Sequence, residues 1–310
     1  MTPLYVLGEA LMDCIVQPDG QLKPLMGGSP YNMARAAALR GAQVSFLNPF
    51  STDHFGLALR AQLHADGVRT VGAASPCPTS LAVVNIREGG QPSYGFYREG
   101  IADRDYSAND MLAWLADQPR GVLHTGSLLL IPPEDRKTLQ VLQGAKALGF
   151  VISVDVNLRT MVARDLNAYV AGVRDIAEVA DWLKASDEDL LDLNLASDEP
   201  GLAQADALAA SWLGQGISRL ALTFGAQGAA LYVDGSSAQA SAPKVQVVDT
   251  VGAGDTFWGN CLADWVLQPE GAAARVSLTL QQAMKAAAIN CTRRGCQPPT
   301  AKELAASIHL

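Results

Sequence analysis

A chain of 310 residues with 49% hydrophobic and only 17% charged residues has material for one large core or two smaller ones, which excludes a disordered or fibrous class. A formal net charge of −8 and a pI near 5.0 argue against a general nucleic-acid footprint. The five cysteines are odd in number and form no C-x-x-C, the four histidines are scattered, and no apolar run reaches membrane length. Free thiols in a reducing cytosol, no histidine-based metal site and no membrane span are therefore expected. No basic, signal-like region precedes the first apolar segment, so a cytoplasmic location is expected.

Residues 4–7 read as a short buried strand that ends at Gly8. Asp13 follows in an apolar neighbourhood, either as a turn acid or as a group reaching into a site; from this residue alone the turn is preferred. Gly27-Gly28-Ser29-Pro30-Tyr31-Asn32 opens a helix that runs to Gly41, with Ser29 as N-cap and Pro30 at the first helical position. Asn32, beside the paired glycines, offers an amide to a hydroxyl-rich ligand or only caps. A strand near 44–47 and a helix to about Asp66 come next. Between 75 and 105 the pattern becomes a hairpin, with strands at 81–86 and 93–98 and a turn at 87–90. By the period of two, Tyr94, Phe96 and Arg98 share a face, as cover for a polar ligand or as the packed side of a small sheet.

From 107 onward strands and helices alternate. Helices are predicted near 108–118, 133–148, 167–180, 187–195, 202–214, 255–267 and 273–292. Strands are predicted near 121–124, 150–155, 182–185, 218–223, 228–233 and 245–248. Alternation of this kind predicts right-handed crossovers, a mostly parallel sheet, and ligands beyond the carboxyl ends of the strands. Five polar or glycine-rich stretches meet that rule: Gly126-Ser127, Asp155 to Arg159, Ser186 to Asp189, Thr223 to Gly228, and Asp249 to Asp255. No repeat or linker run interrupts them, so one domain with a small inserted lid is expected.

The last stretch, Asp249-Thr250-Val251-Gly252-Ala253-Gly254-Asp255, is read as a turn from the strand 245–248 into a helix. A turn that opens a helix aims unpaired N–H groups at one point, where an anion is favoured. Gly252, Ala253 and Gly254 let an anion approach the backbone. Asp255 sits inside this nest, where a carboxylate would be held ionised. Phosphoryl transfer with Asp255 as base is one reading, and an ordinary helix cap is the other. No Lys-Ser/Thr follows the glycines, so this is not a P-loop, and Phe257 takes the third glycine position of a dinucleotide fingerprint.

Two of these motifs carry a resemblance. Gly27 to Ala34, with Gly41 and Phe55-Gly56 behind it, resembles the N-terminal signature of the PfkB/ribokinase family of carbohydrate kinases, and Asp249 to Asp255 with Phe257 and Gly259 resembles its C-terminal signature. The resemblance implies an α/β, ribokinase-like three-layer α/β/α fold over residues 1–310, with a mostly parallel central sheet. A small β-sheet lid would be formed by inserted strands near 12–26 and 78–105. It implies ATP, Mg2+ and K+ as cofactors. Asp255 would be the base, and Gly252, Ala253 and Gly254 the anion hole. Asp13, Gly27, Gly28 and Asn32 would hold sugar hydroxyls. Lys184, Ser186, Thr223, Gly225 and Gly228 would line the nucleotide site, with Asn290 at the adenine pocket. Asp249 and carbonyls near Val251, Arg293 and Gly295 would form a monovalent-cation loop. Asp189, on a shorter arm than the family's usual glutamate, would act indirectly on magnesium, and Ser51 replaces a usual glycine.

Within the family, Gly8 to Asp13, Phe96-Tyr97-Arg98 with Ala102-Asp103, and Asp155 to Arg159 look like the fructokinase branch. The implied reaction is phosphorylation of a ketose primary hydroxyl, D-fructose to fructose 6-phosphate. Phe96, Arg98 and Arg159 are equally the positions at which 2-keto-3-deoxygluconate kinases meet an acid sugar, so that kinase, or a nucleoside kinase, is the alternative. A catalytically inactive sugar- or nucleotide-binding regulator is the rival from another class. Apolar faces of the lid (Leu81, Val83, Phe96) raise the expectation of a homodimer through the lid.

Overall fold

In the computed structural model, residues 1–86 and 92–307 are described; the turn expected at 87–90 and His309 lie outside them, as does the side chain of Tyr94. β1 (Leu4–Val6) starts the central sheet, and β2 (Leu11–Val16) and β3 (Leu22–Gly27) leave it as a hairpin. α1 (Ser29–Leu39) returns to β4 (Val44–Phe46). Next come β5 (Phe50–Ser51), α2 (His54–Ala65), β6 (Arg69–Thr70) and β7 (Ala74–Ser75). β8 (Ser80–Ile86) and β9 (Pro92–Tyr97) again depart from the sheet. The chain then alternates through α3 (Ala108–Ala116), β10 (Val122–Gly126), α4 (Glu134–Ala147), β11 (Val151–Asp155), α5 (Leu166–Val179) and β12 (Trp182–Ser186). It continues with α6 (Asp187–Asp192), α7 (Ala205–Gly214), β13 (Arg219–Thr223), β14 (Ala229–Val233) and β15 (Ser236–Ala240). Three helices close it: α8 (Ala253–Leu267), α9 (Val276–Cys291) and α10 (Ala301–Ala306).

Nine strands form the main sheet in the order β15-β14-β13-β12-β11-β10-β1-β4-β6. They are parallel except for β14 and β15, which are antiparallel to their neighbours. Alternate residues of one strand feed opposite cores: Leu4 and Val6 join the cluster that holds α1 and α8, while Tyr5 and Leu7 join the one that holds α4 and α5. Helices thus cover both faces, which is the three-layer arrangement that continuous apolar strands require. All five cysteines are free. No described helix is long and apolar enough to cross a membrane.

The second sheet has four strands, β3-β2-β8-β9, so the expected hairpin is half of a larger unit. Asp13 lies in the middle of β2, paired with Leu25 of β3, and is not a turn acid. Leu81, Val83 and Phe96 are partly buried against the two hydrophobic cores. Among the described residues, the exposed large apolar side chains of this sheet are Leu22 and Tyr97, on its two edge strands. Ser51 lies in β5 without a left-handed φ, so that position needs no glycine.

The strand expected at 245–248 does not form. Val247 and Val248 are exposed, and the Val248 and Asp249 N–H groups donate to the Cys291 carbonyl at the end of α9, at 2.8 and 3.2 Å, instead of to a strand. The sheet edge is β15, whose Ser-Ser-Ala-Gln-Ala has no strand-like pattern. β14 recruits it through a two-residue turn, Asp234-Gly235, with φ of 50° and 86°. Asp-Gly between two extended segments was the available signal for this hairpin.

Candidate active site

The anion turn survives the loss of its strand because it is anchored from the other side. Gly252 is the N-cap of α8 with a φ of 73°, and a Cβ there would lie 2.2 Å from Cys296 Sγ. A side chain at this position meets both backbone strain and a collision. Among the described residues, the N–H groups of Gly252, Gly254 and Asp255 donate to no acceptor, while that of Ala253 is taken by the Thr250 carbonyl at 3.1 Å. The nest is therefore Gly252, Gly254 and Asp255, and the Ala253 N–H expected in it is already used.

Asp255 is buried, and both its oxygens are held from α1. Ser29 Oγ donates to Oδ1 at 2.7 Å, and Asn32 Nδ2 donates to Oδ2 at 2.9 Å. Ser29 is the first helical residue and makes no cap; Gly28 precedes it as the N-cap. What brings the two helix starts together is a lack of bulk one turn further on. A Cβ on Gly259 would lie 2.7 Å from the Met33 carbonyl and 2.8 Å from Ala36 Cβ. Burial raises the Asp255 pKa; the Asn32 and Ser29 hydrogen bonds, then Lys184 and Arg159, oppose it. Burial thus opposes the expected effect of the nest, and a raised pKa makes a carboxylate more basic than usual.

Asp13 faces Asp255 across the cleft. Its carboxylate packs on Gly27, where a Cβ would lie 2.2 Å from Oδ2. Burial pushes the Asp13 pKa up to about 6, with Arg159 lowering it and Asp255 raising it. Arg159 is exposed, so Asp13, Asp255 and Arg159 share one field at the sheet rim. Arg98 does not join them. It is buried, donates through Nη2 to the Leu128 carbonyl at 2.8 Å, and lies in the field of Asp103 and Glu9. Phe96 is partly buried on the main core.

On the other side of the turn, Lys184 ends up beside Asp155, with Nζ 2.8 and 3.0 Å from its two oxygens. Ser186 and Asp189 form a reciprocal cap of α6. Asp189 Oδ2 accepts from the Ser186 N–H and Oγ, and Oδ1 accepts from the Leu158 N–H. Its carboxylate is thus held by protein groups on both oxygens. Thr223 ends β13, and Gly225 and Gly228 bound the tight turn into β14. Asn290 does not line an adenine pocket: it is fully buried, donating to the Val251 carbonyl at 2.8 Å and accepting from the Gln297 N–H at 2.8 Å. It laces together the two loops of the expected cation site. Asp249 does the same, accepting from the Val251 and Gly295 N–H groups at 3.0 and 2.8 Å. The Arg293 and Gly295 carbonyls accept no hydrogen bond from described residues. A carboxylate among carbonyls is a hard oxygen donor set, which fits a monovalent cation. No group of three or more His, Cys, Asp or Glu among the described residues is placed to hold a metal ion.

A buried carboxylate pinned between two helix starts, next to a backbone nest and on the rim of a parallel sheet, fits a phosphotransferase that works on a hydroxyl. Comparison with known proteins agrees. Residues 1–303 match the pfkB family of carbohydrate kinases, and the chain belongs to that family. The particular relatives are fructokinases. The chain is 35% identical over 261 residues to a fructokinase of Rhizobium leguminosarum bv. trifolii, covering 83% of this chain and 77% of the relative. It is 31% identical to one of Vibrio alginolyticus, covering 98% of each. Among solved structures, the fructokinase of Xylella fastidiosa with bound ATP superposes with a TM-score of 0.82 at 27% identity, covering 97% of each chain. The protein is a carbohydrate kinase, an enzyme that phosphorylates a sugar hydroxyl.

Proposed function

We propose that the protein transfers the γ-phosphoryl group of ATP to a primary hydroxyl of D-fructose, giving fructose 6-phosphate, with Asp255 as the base. The observation that carries this is the grip of Ser29 and Asn32 on Asp255 beside three unclaimed N–H groups. The sugar would lie between Asp13, Gly27 and Arg159, and ATP along the 223–228 turn. Magnesium would come with the nucleotide phosphates, as octahedral, water-rich Mg2+ does in kinases, and would neutralise developing charge. Asp249 with the Val251, Arg293 and Gly295 carbonyls would hold K+ and stiffen the nest.

Of the two arginines at which an acid sugar would be met, Arg98 favours a neutral ketose, while Arg159 stays exposed at the rim and leaves the decision to the substrate assay. A keto-acid needs a guanidinium free to take its carboxylate in a bidentate grip. Here Arg98 is buried on the Leu128 carbonyl, in the field of Asp103 and Glu9. Asp255→Asn is expected to lower turnover at least about 10²-fold with little change in sugar KM. Steady-state assays on fructose and on keto-deoxygluconate check both points. Near wild-type turnover in the variant would remove Asp255 as base, and a preference for the acid sugar would remove fructose. A homodimer through the edge strands of the small sheet, where Leu22 and Tyr97 are exposed, is proposed as the working form. A monomeric mass by sedimentation would overturn it.

A further inference from the structure

A cavity of about 450 Å³ lies outside the catalytic cleft, between β3, α1, α2 and the 293–300 loop. Neither Asp13, Asp255 nor any residue of the 223–228 turn lines it. Its volume is within the range of small-molecule sites. Three guanidiniums line it, from Arg35, Arg293 and Arg294, against one carboxylate, Asp66. On a chain of net charge −8 this is a local reversal of sign. Asp66 is answered on both oxygens: Arg35 Nε donates to Oδ2 at 2.6 Å, and Gln62 Nε2 to Oδ1 at 3.1 Å. Arg293 pairs with Glu303 at 2.6 Å. Two donor sets are left over. Arg35 is 8% exposed, and its Nη2 meets no acceptor among the described residues. Arg294 is exposed; its carbonyl accepts from Gln297 Nε2 at 3.0 Å, but its guanidinium meets no acceptor among the described residues.

One wall of this cavity is also the back of the anion turn. Arg35 Nη1 donates to the Cys296 carbonyl at 3.1 Å, and Cys296 Sγ is the atom that a Cβ on Gly252 would meet at 2.2 Å. One residue earlier, the Gly295 N–H holds Asp249 Oδ2 at 2.8 Å. Burial and then the Asp255 charge raise the Cys296 pKa, so the wall is a protonated thiol in the field of the base. We propose that this cavity is an effector site for a small organic dianion, a phosphate monoester or a dicarboxylate. Arg294 and the free edge of Arg35 would hold it, and Cys296 would couple it to the Gly252 turn. The planar fork of a guanidinium matches both headgroups. An occupant that grips Arg35 braces Cys296 against the left-handed Gly252, and so favours the turn that receives a phosphoryl group. Such coupling is reciprocal: the anion and the phosphoryl ligand raise each other's affinity by one factor. The competing explanation is a solvated arginine cluster that only offsets an acidic surface. The binding half of the proposal needs no base, and the coupling half rests on the kinase reading of the turn.

Calorimetry with glycerol 3-phosphate and with succinate distinguishes the two. D-fructose and a non-hydrolysable ATP analogue are kept saturating, so that the catalytic cleft is filled. At least one probe is expected to bind with a Kd below about 1 mM, and the tighter one tells a phosphate site from a carboxylate site. Arg294→Glu, at an exposed side chain, is expected to weaken that binding at least about tenfold, the scale of one charge-assisted hydrogen bond. Its turnover without probe should stay within about twofold of the parent. Arg35→Lys keeps a cation for Asp66 but loses the fork, and is expected to weaken the probe as well. In the parent, bound probe is expected to raise affinity for MgADP with aluminium fluoride and D-fructose about fivefold, the low end of allosteric coupling. Arg294→Glu should abolish that gain. No heat from either probe at about 10 mM would overturn the proposal, as would binding that survives in Arg294→Glu. Binding with no change in fluoroaluminate affinity would overturn the cavity as an effector site. Probe binding lost in Arg294→Glu would stand even if Asp255→Asn kept full turnover, so failure of the base is read separately.

Discussion

Where α1 meets α8, the two backbones nearly touch at Gly259, and the carboxylate they enclose is answered on both oxygens by Ser29 and Asn32. At the base of the small sheet, Glu9, Asp103 and Arg98 are buried just as deeply, yet Glu9 Oε2, Asp103 Oδ1 and Arg98 Nε each lack a partner. Glu9 spends only Oε1, on the Ser29 N–H at 3.2 Å. Burial raises both acids to about 7; in each case nearby Arg98 lowers the pKa, and for Glu9 the Asp103 charge adds to the rise. The Asp255 carboxylate is thus paired on both oxygens in the protein alone, although Asn32 Oδ1 and Thr256 Oγ1 beside it have no partner among the described residues. The lid side carries unmet polar demand, which costs stability.

The larger expected effect comes from breaking the tight junction. Gly259→Val puts side-chain atoms into the Met33 carbonyl and Ala36, and so pushes Ser29 and Asn32 off Asp255. A displacement of about 1 Å at this distance from the chemistry is expected to lower kcat about 10²-fold, with sugar KM little moved. Overpacking should cost about 1–3 kcal/mol of stability. Kinetics beside thermal melts check this, and turnover within threefold of the parent would show that helix spacing does not set the base.

The smaller effect sharpens the other half of the comparison. Glu9 and Asp103 have folded-state pKa values of about 7, above their ordinary 4.5 and 3.8. The folded protein therefore holds protons that the unfolded chain releases. Their stabilising contribution is full below about pH 4 and is lost as pH rises toward 7. Glu9→Gln removes one of the two titrations, so stability in urea should fall less between pH 5 and pH 8 than in the parent, by on the order of 1–2 kcal/mol. Equal slopes in the two proteins would mean that this cluster is not protonated as the geometry requires.

Local sequence determined a good deal of this protein. Apolar runs of strand length alternating with helical periods foretold the α/β class and the polar stretches at the carboxyl ends of the parallel strands. Two long glycine-containing motifs, far apart in the chain, pointed to the kinase family and to Asp255. These features are legible because periodicity, turn chemistry and helix starts depend on neighbours in sequence. Tertiary structure alone decided the rest. Val245 to Val248 has strand composition but no strand beside it, and Ser236 to Ala240 became a strand because an Asp-Gly turn folded it onto β14. Ser29 has the residue type of a cap and is instead a ligand of a carboxylate 226 positions away. Arg98 stands on the predicted face but turns to the Leu128 carbonyl, and Asn290 staples two loops. Ion pairing, burial and the pKa shifts that follow are set by what the fold brings together across the whole chain. That is why Lys184 approaches Gly254, distant in sequence, only once β12 and α8 are in place.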